Sequence, residues 1–217
     1  MGYTVDADGF VILDDGTLLT YGEQDRQALY DKVLVPWGES IARHSERTGV
    51  PWPWIAAQIY IESRGDAQIL GHDPGGTTGY GLMQLTHPSV FQGHDPQETL
   101  DDPDLNIALG TDLLAKSMRS MRQPADIVRA ASMFNCGPSG GDAKPRPITE
   151  ANPWGYCQNE QSKHITKAVM ANNTALQLGL PGGVPGTAGG FPWVAFTGLM
   201  VGAGLAALWI VKGGRFA

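Results

Sequence analysis

A chain of 217 residues holds one domain with a real core plus additional segments. Its net charge of -7 argues against nucleic acid as a main partner, and its two cysteines are too few for a disulfide scaffold. Cys136 and Cys157 form either one bridge outside the cytoplasm or two unpaired buried thiols. Met1 to Val11 has neither a basic start nor an apolar core, so no cleavable export signal is expected there.

Phe10 to Leu13, then Asp14-Asp15-Gly16, then Thr17 to Tyr21 reads as a short hairpin with the Asp-Gly step as its turn. It packs on the main domain or on a partner. Residues 23 to 48 read as helical with a break near Pro36-Trp37-Gly38. A helix begins near Pro51 to Trp54. Ile55, Ile59 and Glu62 share one face of it at i, i+4 and i+7, and Gly65 ends it. A carboxyl on a buried stripe has its charged form disfavoured, which is what a general acid at neutral pH needs.

Residues 66 to 80 read as a polar, glycine-rich loop, with Asp66 and Asp73 as further carboxylates. Gly81-Leu82-Met83-Gln84 follows and is suited to shaping a cleft. Asp102-Pro103 predicts a helix start, with Asp as N-cap and Pro at the first position. That helix runs to about Met121. Pro124 starts another, ending near Gly137, and a last soluble helix covers roughly 158 to 178. His72-Asp73 and His94-Asp95 lack a compelling ligand spacing, so neither a metal nor another cofactor is expected.

Composition then shifts. Gly179 to Gly190 contains six Gly and two Pro and reads as a linker. Phe191 to Val211 is uncharged, and its length as a helix is roughly 31 Å, enough to span a bilayer core. Trp193 and Trp209 stand near its ends, and Lys212 and Arg215 follow, which orients the C-terminus towards the cytoplasm. The expected divisions are 1–48, a hairpin and helix packing on the main domain; 49–178, the main domain; 179–190, the linker; 191–211, a transmembrane helix; and 212–217, a basic tail. Gly198 and Gly202 make a GxxxG step that allows two such helices to pack.

Four ordered segments carry a family resemblance: Glu62-Ser63, Thr78 to Pro88 around Gly81-Leu82-Met83-Gln84, Leu100 to Gly110, and Ala130 to Gly137. Together they resemble the lytic transglycosylases of the lysozyme-like superfamily, over residues 50 to 170. The resemblance implies a mainly α, lysozyme-like α+β fold. It implies cleavage of the bond between N-acetylmuramic acid and N-acetylglucosamine in peptidoglycan, with a 1,6-anhydro-muramyl end as product. Glu62 would be the acid and then the base, Ser63 would orient it or the sugar, Met83 and Gln84 would line the cleft, and Asn135 would bind glycan. Phe134 stands where the family usually has Tyr. Where the family often carries a Tyr that hydrogen-bonds the catalytic Glu, this sequence offers His164, or Tyr156 nearby.

The expected partners are peptidoglycan strands, a bilayer through 191–211, and proteins of a virion or an envelope complex. A phage virion component that opens the wall during genome entry is the favoured setting, with the catalytic domain facing the wall. A bacterial secretion or conjugation machine is the other. A lysozyme-type hydrolase using Asp66 or Asp73, an inactive peptidoglycan-binding anchor and a membrane-pore protein are the alternative functions.

Overall fold

The computed structural model describes residues 2–72, 76–120, 127–136, 154 and 159–181. They all belong to a compact unit, Met1–Gly186; Thr187–Ala217 forms a second unit that lies outside the described residues. Among the described residues no helix is long and apolar enough to cross a membrane. The expected membrane helix, 191–211, lies outside them, as does most of the linker.

The N-terminal hairpin differs from the expected one. β1 (Tyr3–Val5) pairs antiparallel with β2 (Val11–Leu13), with Thr4 opposite Ile12. Asp6 closes the intervening turn, its Oδ1 accepting from the N–H groups of Asp8 and Phe10. The Asp-Gly turn does form, with Gly16 at φ 83°, but its far arm contributes only one bridge, Ile12 to Leu18. Tyr3-Thr4-Val5 is too short a run to announce itself as a strand.

α1 (Glu23–Leu29) continues through a π-helical turn, Tyr30–Leu34, into α2 (Val35–Thr48). The expected break at Pro36-Trp37-Gly38 is therefore absent. The wide turn directly precedes Pro36, the second residue of α2, and the helix runs on through it. Gly49 ends α2 in the left-handed conformation.

α3 (Trp52–Ser63) is the central helix. Its Trp54 to Tyr60 stretch is buried on all sides, Ile55 and Ile59 completely. An all-round apolar helix belongs inside a core rather than on its surface. β3 (Leu70–His72) and β4 (Thr78–Tyr80) form a small antiparallel hairpin within the segment expected to be loop. After the short α4 (Glu98–Asp101) comes α5 (Pro103–Ser120). Its start matches the sequence reading: Asp102 Oδ1 accepts from the N–H groups of Asp104 and Leu105 at 3.0 and 3.2 Å. Asp102→Ala should cost about 1 kcal/mol of stability, read as a lower midpoint in urea with an unchanged slope.

α6 (Ile127–Cys136) and α7 (Asn159–Leu178) complete the bundle, α7 lying against α3 and α6. α7 also anchors the N-terminal segment. Asn173, fully buried, accepts from the Val11 N–H and donates to the carbonyls of Val11 and Leu19. Asn172 donates to Gly9 O, and Thr174 Oγ1 accepts from the Tyr21 N–H. The hairpin thus packs on the last helix of the main domain.

Candidate active site

The last turn of α3 brings Glu62 from the core to the surface, with its side chain 20% exposed. Gln58, one helical turn earlier on the same face, donates from Nε2 to Glu62 Oε1 at 2.7 Å. His164 of α7 places Nε2 at 3.5 Å from the same oxygen. The sequence reading missed Gln58, although its i, i+4 spacing to Glu62 was available.

The His164 to Glu62 distance suits an ion pair, but the imidazole is uncharged at neutral pH. Burial pushes it from 6.5 down to about 4, and the positive charge of Lys167 adds to the effect. Among the described residues, Nε2 has no hydrogen-bond partner. The contact is therefore between a carboxyl and a neutral ring. It does not supply a cation that would hold the carboxyl ionised.

This shift has a stability consequence. An unfolded chain protonates His164 near 6.5 and the folded chain only near 4. Between these values the unfolded state binds more protons, so acid favours unfolding. Stability present above pH 6.5 is lost as the pH falls towards 4, by on the order of 3 kcal/mol. His164→Gln should lose less stability than the unmodified chain between neutral pH and pH 4, measured by chemical denaturation.

Three other candidates, Ser63, Met83 and Gln84, bond or pack inward. Ser63 is buried; its Oγ donates to Ile59 O and accepts from the Gly65 N–H, so it shapes the end of α3. Met83 is completely buried, packed on Gly110, which puts it in the core rather than on a cleft surface. Gln84, at φ 46°, turns its Nε2 to the carbonyls of Ile69 and Gly81 at 3.2 and 2.9 Å. Its Oε1 occupies the space that a Cβ on Gly71 or Gly79 would need, which explains both glycines. Gln84 thus braces the β3–β4 hairpin from within. Asn135 lies in the last turn of α6. Its side chain, Tyr156, Asp73 and the Cys136–Cys157 question lie outside the described residues. Asp66 is exposed, with Oδ1 accepting from the Gln68 N–H.

Asn106 of α5 is a second residue that sequence reasoning missed. Fully buried, it donates to Tyr80 O at 2.8 Å and accepts from the Met83 N–H at 2.9 Å. One amide thereby fixes both ends of the Gly-Leu-Met turn. No local pattern announces a staple formed across more than twenty residues.

Beside β4 lies a hollow of about 360 Å³ lined by Tyr80, Phe91 and His94, among others; another of about 370 Å³ lies by Trp52 and Asp8. Glu62 lines neither, so the acid/base geometry locates the site better than hollow size does. Among the described residues no three metal-ligating side chains group together. His94 instead pairs with Glu98 at 2.8 Å.

A family model described as the transglycosylase SLT domain matches residues 39–146. The match covers just under half of the chain. Within it fall Glu62, Met83, Gln84, Asn106 and Asn135; His164 lies beyond the matched range. Among solved structures, the chain is similar to an inactive mutant of the lytic transglycosylase Slt from Pseudomonas aeruginosa. The identity is 19%, the TM-score 0.50, and the match covers 69% of this chain and 25% of that one. This likeness concerns the fold, and the chain spans about a quarter of that protein's length. No curated protein matches the chain.

Proposed function

We propose that the protein is a peptidoglycan lytic transglycosylase in which Glu62 of the SLT domain is the acid and then the base. The observation that carries this reading is the Glu62 carboxyl at the end of a buried helix, bonded to Gln58 and facing an uncharged His164. Protonated Glu62 donates its proton to the glycosidic oxygen between N-acetylmuramic acid and N-acetylglucosamine, and the bond to the muramyl C1 breaks. The resulting carboxylate removes the proton from the muramyl 6-hydroxyl, whose oxygen closes on C1. Glu62 is regenerated protonated, and no water is consumed. One carboxyl therefore serves both steps, whereas ordinary glycoside hydrolysis generally employs two.

We further propose that residues 191–211 anchor the protein in a membrane, with the catalytic domain on the wall side, and that it opens the wall locally during phage genome entry. The uncharged stretch, its tryptophan flanks and the Lys212 and Arg215 tail support the anchor.

Digestion of purified peptidoglycan by the full chain tests the enzymatic reading. Soluble muropeptides are expected; sacculi left intact by a folded protein would overturn it in favour of a binding anchor. Flotation with liposomes tests the anchor: the full chain should float with them, and a chain lacking 191–217 should not.

A further inference from the structure

The turn that follows Glu62 is held from outside the SLT match. Arg64 ends α3 at φ 56°, a conformation unfavourable for a side chain with a Cβ. Its guanidinium donates to Asp25 Oδ1 at 2.7 Å and lies 4.3 Å from the centre of the Tyr60 ring. Tyr60 donates its hydroxyl to the same Asp25 oxygen at 2.7 Å and meets the Tyr21 ring edge-on. One carboxylate on α1 thus grips residues two before and two after Glu62. The π-helical turn and α2 add further holds: Lys32 O packs directly on Gly65, and Trp37 Nε1 donates to Gly65 O at 3.2 Å. Asp25, Lys32 and Trp37 all precede residue 39, where the family match begins.

We infer that Asp25 is a positioning residue for Glu62, acting through Tyr60 and Arg64 to fix the last turn of α3 and hence the place of the carboxyl relative to His164. This rests on the reading of Glu62 as proton donor. Two hydrogen bonds, from the Tyr60 hydroxyl and from Arg64, hold the Asp25 carboxyl below its usual range, so it is ionised and gripping at neutral pH. A displacement of about 1 Å in an acid/base group is enough to cost up to a hundredfold in rate. Ground-state binding of the glycan strand, which does not depend on the place of the proton donor, is affected far less.

The test compares the full-length chain with Asp25→Ala, Asp25→Glu and Tyr60→Phe. Two quantities are read: steady-state kinetics on peptidoglycan, and the His164 ring-nitrogen NMR shifts at neutral pH without substrate. The expected result for Asp25→Ala is a kcat lower by roughly ten- to a hundredfold with KM within about twofold, a changed His164 signal, and partial recovery in Asp25→Glu. An unchanged kcat and an unchanged His164 signal in a folded variant would overturn the inference. Should the unmodified chain cleave no peptidoglycan, the His164 signal still decides: movement upholds the clamp, and its absence ends it. If Asp25→Ala does not fold, Tyr60→Phe, which removes a single oxygen, is read by the same two criteria.

Discussion

Glu62→Gln should abolish cleavage of peptidoglycan while leaving the fold intact. The amide matches the carboxyl in shape, so it still fits at the end of α3. Its oxygen can still accept the Gln58 hydrogen bond, which reaches Glu62 Oε1 at 2.7 Å. What is lost is the transferable proton. Because the proposed mechanism uses Glu62 in both steps, no other residue rescues either half. General acid/base groups contribute roughly 10²- to 10⁴-fold each; a group serving twice belongs at or beyond the upper end. The check is a rate assay beside circular dichroism: activity near background with an unchanged spectrum. Retained activity would remove Glu62 from the mechanism.

Gly65→Ala should be the most destabilising single-methyl change in this part of the molecule. Gly65 has φ 84°, where an alanine is strained by about 1–2 kcal/mol. Its added Cβ would also run into the Lys32 carbonyl, a backbone atom that cannot rotate away. Overpacking of that kind costs about 1–3 kcal/mol more. Gly16 provides the control: its φ is 83°, but nothing lies within 4 Å of the added methyl, so Gly16→Ala should show the strain alone. Urea denaturation of the two variants separates the contributions. Equal losses at the two sites would mean that the π-helical turn yields and does not hold the end of α3.

Local signals were readable in the sequence where the chain supplied its own partners. Asp102-Pro103 gave the start of α5 because cap and helix are neighbours. The last helix, expected over roughly 158 to 178, spans Asn159–Leu178, and Gly179 follows it at φ 71°. Glu62 stood out because a carboxylate among Ile55, Ile59 and Tyr60 is costly to bury without use. Features made by distant partners were not readable. The π-helical turn, the pairing of Tyr3–Val5 with Val11–Leu13 and the Asn106 staple depend on contacts that no short window contains. The β3–β4 hairpin was hidden for another reason: Gly71 and Gly79 look like loop residues, but they are glycines because the Gln84 amide fills the space beside them. Residue type alone also misjudged side-chain direction. Met83 and Gln84 belong to the motif, but in this structure they support it from inside. Their effect on a glycan would be through the shape of the hairpin.

His164 illustrates how far the motif and the structure each reach. The resemblance alone offers both His164 and Tyr156 as the partner of Glu62. The structure places the His164 ring at 3.5 Å from the carboxyl, and its burial makes it neutral. A neutral ring beside a proton donor differs from a charged one. It adds no positive charge that would favour ionisation of the carboxyl.

Mass spectrometry of the muropeptides released by the full chain, beside its Glu62→Gln variant, tests the central claim most directly. Ends of the 1,6-anhydro-muramyl type, made only by the unmodified chain, are the predicted result. Reducing muramyl ends would contradict the account: they would require an activated water, a second carboxylate and a hydrolase mechanism, with Asp66 and Asp73 the first residues to replace.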